Sequence, residues 1–169
     1  MSDEPPHNAS WTDGLPTHQT PVGRGSSSHL GDMTFFSDFS NYRYRATLVP
    51  MVNIGWLGAG RSFPTGPVPT DVIEKLMLLT EDLHNIMRGV HDCEFCQEES
   101  PIRLAAKVPR GYVSLGMGEL HRIDVDGTIF TAPSLVIHYI IQHNYQPPEN
   151  FIRAVREGRP CDGRCGNEE

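Results

Sequence analysis

The chain has 169 residues, of which 38% are apolar and 21% are charged, and its formal net charge is −7. This length suits one ordinary domain. The negative charge argues against general binding to a nucleic-acid backbone, which depends on clustered lysine and arginine. No apolar run approaches the roughly 20 residues of a membrane helix, and the first residues lack the basic and apolar parts of a signal peptide. We therefore expect a cytoplasmic protein.

The two ends of the chain differ in composition from its middle. The first 32 residues are rich in Ser, Thr, Pro, Gly and His, and their few apolar residues follow no period, which predicts a disordered tail. We place a single globular domain at residues 33–158. Its first element is a predicted strand over residues 42–49, where Tyr42, Tyr44 and following residues alternate in polarity. Residues 159–169 are predicted to form a flexible C-terminal tail.

Helical periodicity recurs in three segments of the domain. The first is TDVIEKLMLLTEDLHNIM, with apolar residues on one face and Asp71 positioned to cap its start. The second follows Pro133 in APSLVIHYIIQH and is expected to end at Asn144, because proline suits a first helical turn and asparagine suits a helix end. The third and shortest lies in PPENFIRAVREG and precedes Gly158.

Between the first two helices, alternating segments predict strands. These are YVSL, ELHRIDV and TIFT, separated by GMG and by the hairpin signal Asp126-Gly127. We interpret them as an antiparallel meander. The predicted fold class is therefore α+β, with a small antiparallel meander packed against about three helices and a loop that resembles a zinc knuckle.

The loop sequence RGVHDCEFCQEE carries the clearest chemical motif. Cys93 and Cys96 have the two-residue separation that lets both sulfurs bind one zinc ion. If the chain enters the loop extended, His91 lies on the same side as Cys93. In a reducing compartment such a group indicates a metal site before a disulfide or a redox pair. We predict His91, Cys93 and Cys96 as zinc ligands.

A structural zinc site needs a fourth ligand, and the sequence leaves several open. His138 is preferred, because an imidazole in the apolar helix LVIHYIIQH needs a partner for its nitrogens. His143 is the main alternative, although helical phase separates the two histidines by about 140 degrees. His121 is more simply a strand residue. The terminal pair Cys161 and Cys165 would make a four-cysteine site, but its spacing is looser than that of a knuckle. The acidic residues around the cysteines (Asp92, Glu94, Glu98, Glu99) are expected to be solvated or to orient the ligands.

An enzyme is the alternative interpretation. His91, Cys93 and Cys96 with a bound water would resemble the ligand set of zinc deaminases, and Glu119 in the turn GMGEL is the best candidate for a general base. The match is incomplete, because those enzymes carry a glutamate two residues after the histidine and place their thiols on a later helix. The sequence also contains neither a phosphate-binding glycine loop nor a GxSxG elbow.

Several spaced blocks together resemble a family of uncharacterised bacterial proteins. The blocks are NIGWL, FPTGPVP, RGVHDCEFC, LGMGELHR and FTAPSLVIHYIIQHNYQPPENFIRAV. The resemblance extends from Phe35 to about Val155 and pairs an HxCxxC block with an APxLxxHYxxxHxYxPPxxF block. It implies a shared fold and a link between the two histidine-bearing blocks, but no activity. Met117 departs from the small polar residue expected in the glycine turn, and the terminal CDGRC lies outside the pattern.

The sequence thus favours a zinc-stabilised domain that acts as a binding or regulatory module, with another protein as the candidate partner. A zinc-dependent hydrolase or deaminase-like enzyme is the runner-up. Binding to nucleic acid through Arg103, Lys107 and Arg110 has little support from an acidic chain.

Overall fold

The structure is a computed structural model that describes residues 35–86 and 89–161, and all structural statements refer to these residues. The predicted tail over residues 1–32 lies outside this part of the chain. So do residues 162–169 of the predicted C-terminal tail, including Cys165.

The described chain is a mixture of helices and short strands, which agrees with the predicted α+β class. In chain order the elements are β1 (Val52–Asn53), α1 (Thr70–Leu79), β2 (Ile102–Ala105), β3 (Tyr112–Leu115), β4 (Glu119–Ile123), β5 (Ile129–Pro133), α2 (Val136–His143), α3 (Glu149–Glu157) and β6 (Arg159–Pro160). A single 3-10 turn (Thr80–Asp82) extends α1.

The strands form two sheets. The larger sheet has the order β1-β5-β4-β6, in which β1 is parallel to β5 and the other pairs are antiparallel. The smaller sheet is the antiparallel hairpin β2-β3. The turn around Gly127 joins β4 to β5, with Gly127 at φ 89°, a conformation that glycine adopts without strain.

The two faces of the larger sheet differ in chemistry, because successive side chains of a strand point to opposite faces. One face carries Leu120, Phe130 and Ala132, which belong to the main apolar core together with buried residues of α1, α2 and α3. The other face carries polar side chains that are nonetheless buried: Asn53, Glu119, His121 and Thr131. The register places Asn53, Thr131 and His121 in one row across three strands.

Two predicted elements differ from those observed. The predicted strand over residues 42–49 does not form. Tyr42 is buried and donates its backbone N–H to Met51, but the chain beyond it turns back, and Leu48 is exposed. The polarity alternation there reflects one buried tyrosine rather than a ladder of strand hydrogen bonds.

The first helix is shorter than its apolar pattern predicts. α1 ends at Leu79, and beyond the 3-10 turn His84 exchanges two backbone hydrogen bonds with Glu119, of 2.8 and 2.9 Å. Pairing with a strand thus replaces the last helical turn, and Ile86 is left exposed. The predicted meander is also divided, because β3 pairs with β2 and not with β4. Beyond α3, Arg159 and Pro160 pair with β4 as β6.

Candidate metal centre

The loop after α1 positions two sulfur atoms beside α2. Cys93 is buried, with 5% of its surface exposed, whereas Cys96 is exposed. The backbone N–H of Phe95 donates to the Cys93 sulfur at 3.4 Å, which closes the turn between the cysteines. The Phe95 ring packs edge-on against Tyr139 and Phe63, at centroid distances of 5.8 and 5.4 Å. An apolar anchor between the cysteines therefore fixes the sulfurs on the surface of α2.

Helix α2 supplies two imidazoles to the same point. His138 is completely buried in the middle of the helix, and His143 is its last residue. Asn144 follows in the left-handed conformation, at φ 54°, and its N–H returns to the carbonyl of Tyr139, which ends the helix. The His143 ring contacts Phe95 at 5.4 Å between centroids. The end of α2 and the turn from Cys93 to Cys96, here called the knuckle, thus pack on each other.

Three distances among these four residues are close to those of a tetrahedral zinc site. Their ligand atoms all lie within 4.8 Å of one another. The two Nε2 atoms are 3.3 Å apart, Cys93 Sγ lies 3.3 Å from His143 Nε2, and Cys96 Sγ lies 3.4 Å from His138 Nε2. Zinc bonds of ordinary length imply about 3.3 Å between two nitrogens and about 3.6 Å between nitrogen and sulfur. The group Cys93, Cys96, His138 and His143 could therefore hold one metal ion.

The electrostatics of the cluster fit a metal site better than a set of free side chains. Burial raises the pKa of the Cys93 thiol to about 11. Burial, with a smaller effect of His143, lowers the pKa of His138, so its imidazole is neutral, the form that binds metals. A cation at the centre of the group would favour the thiolate form of the cysteines and the neutral form of the imidazoles together.

A carboxylate lies behind one of the imidazoles. Glu98 Oε2 is 3.6 Å from Nδ1 of His138, the nitrogen that faces away from the cluster. Metal-bound histidines commonly direct their second nitrogen toward a carboxylate, which fixes the ring. This distance exceeds that of a hydrogen bond, and Nδ1 has no hydrogen-bond partner. Of the acidic residues near the cysteines, Glu98 has the position expected of an orienting group, while Glu94 accepts a hydrogen bond from the backbone of Ala59.

His91 does not join this group, in contrast to the sequence prediction. Its backbone N–H donates to Gly116 at 2.8 Å, and its carbonyl accepts from the hydroxyl of Ser100 at 2.7 Å. These bonds fix the chain entering the loop, and the His91 ring lies beside Trp56, 6.0 Å away between centroids. His91 is not a member of the Cys/His group.

The terminal cysteine that the structure describes also lies elsewhere. Cys161 is buried and packs with Ile123 and Ile129 at the end of the larger sheet. It is not a member of the Cys/His group. Cys165, which a four-cysteine site would also need, lies outside the described residues.

Glu119, the candidate general base, is the centre of a separate polar network. Its Oε1 accepts from Tyr42 at 3.0 Å. Its Oε2 is within hydrogen-bonding distance of Asn85 at 3.0 Å, Thr131 at 3.1 Å and His121 Nε2 at 2.9 Å. Because a carboxylate only accepts, His121 donates from Nε2. Within the described chain no member of the Cys/His group hydrogen-bonds to Glu119, so this carboxylate does not serve the metal centre.

A second histidine covers this network. The rings of His84 and His121 are stacked 4.2 Å apart with an interplanar angle of 7°. Burial, followed by the nearby His121, lowers the pKa of His84. Burial and the Glu119 charge raise the pKa of Tyr42. The two shifts favour the uncharged forms of His84 and Tyr42.

The feature that sequence reasoning undervalued is the spacing of the two helical histidines. His138 and His143 are separated by four residues, which falls within the HxxxH to HxxxxxH range of zinc sites with two cysteines and two histidines. The phase angle of about 140 degrees describes where the side chains leave the helix, whereas the imidazole nitrogens reach several ångströms farther.

No helix of the described residues combines the length and apolarity required to cross a membrane. Searches of curated proteins and of solved structures gave no match. A protein family matches residues 34–156, which include β1 to β5, the first two helices, nearly all of α3 and the candidate metal centre. The chain belongs to this family, described as Domain of unknown function (DUF7919).

Proposed function

We propose that Cys93, Cys96, His138 and His143 bind one zinc ion, and that this ion is structural. The observation that carries the proposal is the convergence of four protein ligand atoms within 4.8 Å of one another, with both histidine nitrogens 3.3–3.4 Å from a sulfur. Structural zinc sites are closed by four protein ligands, whereas catalytic sites keep one position for water or substrate. His143, rather than His91, then completes the set.

Zinc at this point would join the loop after α1 to α2. The two cysteines precede β2 in the chain, and the two histidines follow β5. A metal bound by both halves would fix the path of the loop across α2. The domain would then function as a cytoplasmic binding or regulatory module, in which a surface other than the metal meets the partner.

An enzymatic role has less support from the same geometry. A hydrolase or deaminase would need an open zinc position and a general base beside it. The fourth position is filled by His143 Nε2, and Glu119 makes its contacts in the separate polar network. A nucleic-acid role also lacks support, because Lys107, one of the three basic candidates, forms a 2.8 Å ion pair with Glu74.

Metal analysis combined with X-ray absorption tests this proposal. Protein purified without added metal should carry one equivalent of zinc, coordinated by two sulfurs and two imidazole nitrogens at ordinary zinc bond lengths. Replacing His143 by Ala should remove most of the zinc and place a water on the fraction that stays bound, while His91→Ala should leave the spectrum unchanged. Fewer than about half an equivalent of zinc, or a water ligand in the unaltered protein, would contradict a closed structural site.

A further inference from the structure

The two cysteines of the Cys/His group differ in their exposure to solvent. Cys93 is 5% exposed, whereas Cys96 is exposed. His138 is completely buried. A small molecule approaching the centre from solvent therefore meets Cys96 before Cys93, and the two sulfurs lie within 4.8 Å of each other.

Zinc does not change oxidation state, so any redox chemistry of such a centre takes place on its thiolates. Coordination keeps both sulfurs deprotonated, and the thiolate is the form that reacts with oxidants. An exposed thiolate with a second thiolate directly behind it has the arrangement of a peroxide-sensitive cysteine with its resolving cysteine.

We propose that Cys96 is an oxidation site for hydrogen peroxide or a small organic hydroperoxide, and that its oxidation closes a Cys93–Cys96 disulfide and releases the zinc. This proposal rests on the structural zinc site proposed above, and it assigns to that site a regulatory role. The presence of zinc in the centre would then depend on the oxidant concentration around the protein, and loss of zinc would alter the rest of the domain.

The reaction balances with a peroxide as the only oxidant. The Cys96 thiolate attacks one peroxide oxygen, the O–O bond breaks, and a sulfenic acid forms while the other oxygen leaves as hydroxide and takes up a proton. The Cys93 thiolate then attacks the Cys96 sulfur and displaces the second hydroxide, which is also protonated. Two thiolates, one hydrogen peroxide and two protons give one disulfide and two waters, and the sulfurs lose the two electrons that the peroxide gains.

Oxidation would separate the loop from α2. With both sulfurs consumed, only His138 and His143 remain, and two imidazoles do not retain zinc against solvent. The contact of Phe95 with the His143 ring, and the position of Phe95 between Phe63 and Tyr139, depend on the closed knuckle. The oxidised domain would therefore expose an aromatic side chain that the reduced, zinc-bound domain covers.

The test uses the full chain as purified with zinc and adds hydrogen peroxide in steps, with a colorimetric chelator to record released zinc. We expect one zinc released per peroxide consumed and a Cys93–Cys96 disulfide in the peptide map, with zinc binding recovered after dithiothreitol and added zinc. Zinc that stays bound while peroxide is consumed would overturn the proposal, as would zinc release with Cys96 in the sulfinic form and no disulfide.

A matched variant separates oxidation from metal binding. Cys96→His replaces one ligand by another zinc ligand and removes the attacking thiol, so the site keeps zinc but cannot form the disulfide. Peroxide should release zinc from this variant at least tenfold more slowly than from the unaltered protein, and equal rates would overturn the proposal. If the untreated protein contains no zinc, the structural site itself fails; if zinc is present and resists peroxide, only the oxidation proposal fails.

Discussion

The described chain contains two clusters with a pair of histidines each, and they differ in how the rings face each other. In the metal centre, the rings of His138 and His143 are inclined at 71°, and their Nε2 atoms converge to 3.3 Å. In the polar network, the rings of His84 and His121 are parallel at 7°. Ring lone pairs lie in the ring plane, so parallel stacked imidazoles cannot both point at one ion.

The partners of the histidines reinforce this contrast. In the metal centre, sulfur atoms lie against the ring nitrogens. A thiol is only a weak hydrogen-bond partner for a neutral imidazole, so these contacts do not compensate well for burying both groups. The polar network supplies a carboxylate that accepts from Tyr42, Asn85, Thr131 and His121. Similar residue types thus give a group that could hold a metal ion in one place and a hydrogen-bond network around a carboxylate in the other.

The largest effect should follow from removing a residue of the metal centre. Cys93→Ser and His143→Ala should each lose most of the zinc and lower the melting temperature by about 10 °C or more, because metal binding contributes directly to folding. Zinc analysis and thermal unfolding measure both quantities. His91→Ala is the matched control and should keep its zinc. Loss of zinc in His91→Ala but not in His143→Ala would reverse the assignment.

A smaller effect is expected in the polar network, and it should leave the metal untouched. Glu119→Gln replaces an acceptor by an amide whose NH₂ group faces donors, and an unsatisfied buried polar group costs on the order of 1–3 kcal/mol. Urea unfolding should show this loss of stability with one equivalent of zinc still bound. Zinc loss in this variant would show that the two clusters are coupled.

Phe95→Ala tests how far packing supports the metal centre. The ring lies between Phe63 and Tyr139 and against His143, and its removal should cost about 1–2 kcal/mol of stability, since the side chain is only partly buried. Zinc affinity should fall by roughly tenfold, the usual effect of losing a group that orients a ligand. Competition with a chelator of known affinity measures this, and an unchanged affinity would restrict Phe95 to core packing.

The smallest effect concerns the pH dependence of His84. Burial and the neighbouring His121 lower the pKa of His84, while Asp82 and Glu119 act in the opposite direction. A lowered pKa in the folded state means that the unfolded state binds protons first, so stability is present above pH 6.5 and is lost as the pH falls through the folded pKa.

His84→Gln should therefore reduce the loss of stability between about pH 6.5 and 5 by less than about 1 kcal/mol, because the ring is partly exposed. Urea unfolding midpoints across this range provide the measurement. His91 also has a pKa lowered by burial and contributes in the same direction. For that reason the change in unfolding free energy with pH should be smaller in the variant but still present. An identical change with pH in the variant would show that His84 does not contribute.

Much of the fold and three of the four residues of the Cys/His group could be predicted from local patterns. The CxxC spacing of Cys93 and Cys96 is a local property, and so is the conflict between His138 and its apolar helix. The α+β class follows from periodicity. Helical phase favours His138 over His143, because it fixes where a side chain begins but not how far its ring extends.

The remaining features depend on contacts between distant residues, which local patterns do not contain. His91 is directed away from the sulfurs by its hydrogen bonds to Gly116 and Ser100. The end of α1 is set by the pairing of His84 with Glu119, 35 positions later in the numbering. The same pairing places a buried carboxylate where the sequence shows only an acidic residue in a glycine turn.

The two halves of the metal centre lie 42 positions apart between Cys96 and His138. The intervening chain contains β2, β3, β4 and β5, so an ion bound there would close a long loop rather than a short finger. Closing a loop of this length costs chain entropy before any ligand is gained, and the four ligands meet only when the sheet has formed. We therefore expect zinc to bind late in folding. The knuckle alone, as a synthetic peptide with two cysteines, should bind zinc far more weakly than the whole domain, and zinc uptake should report completion of the fold.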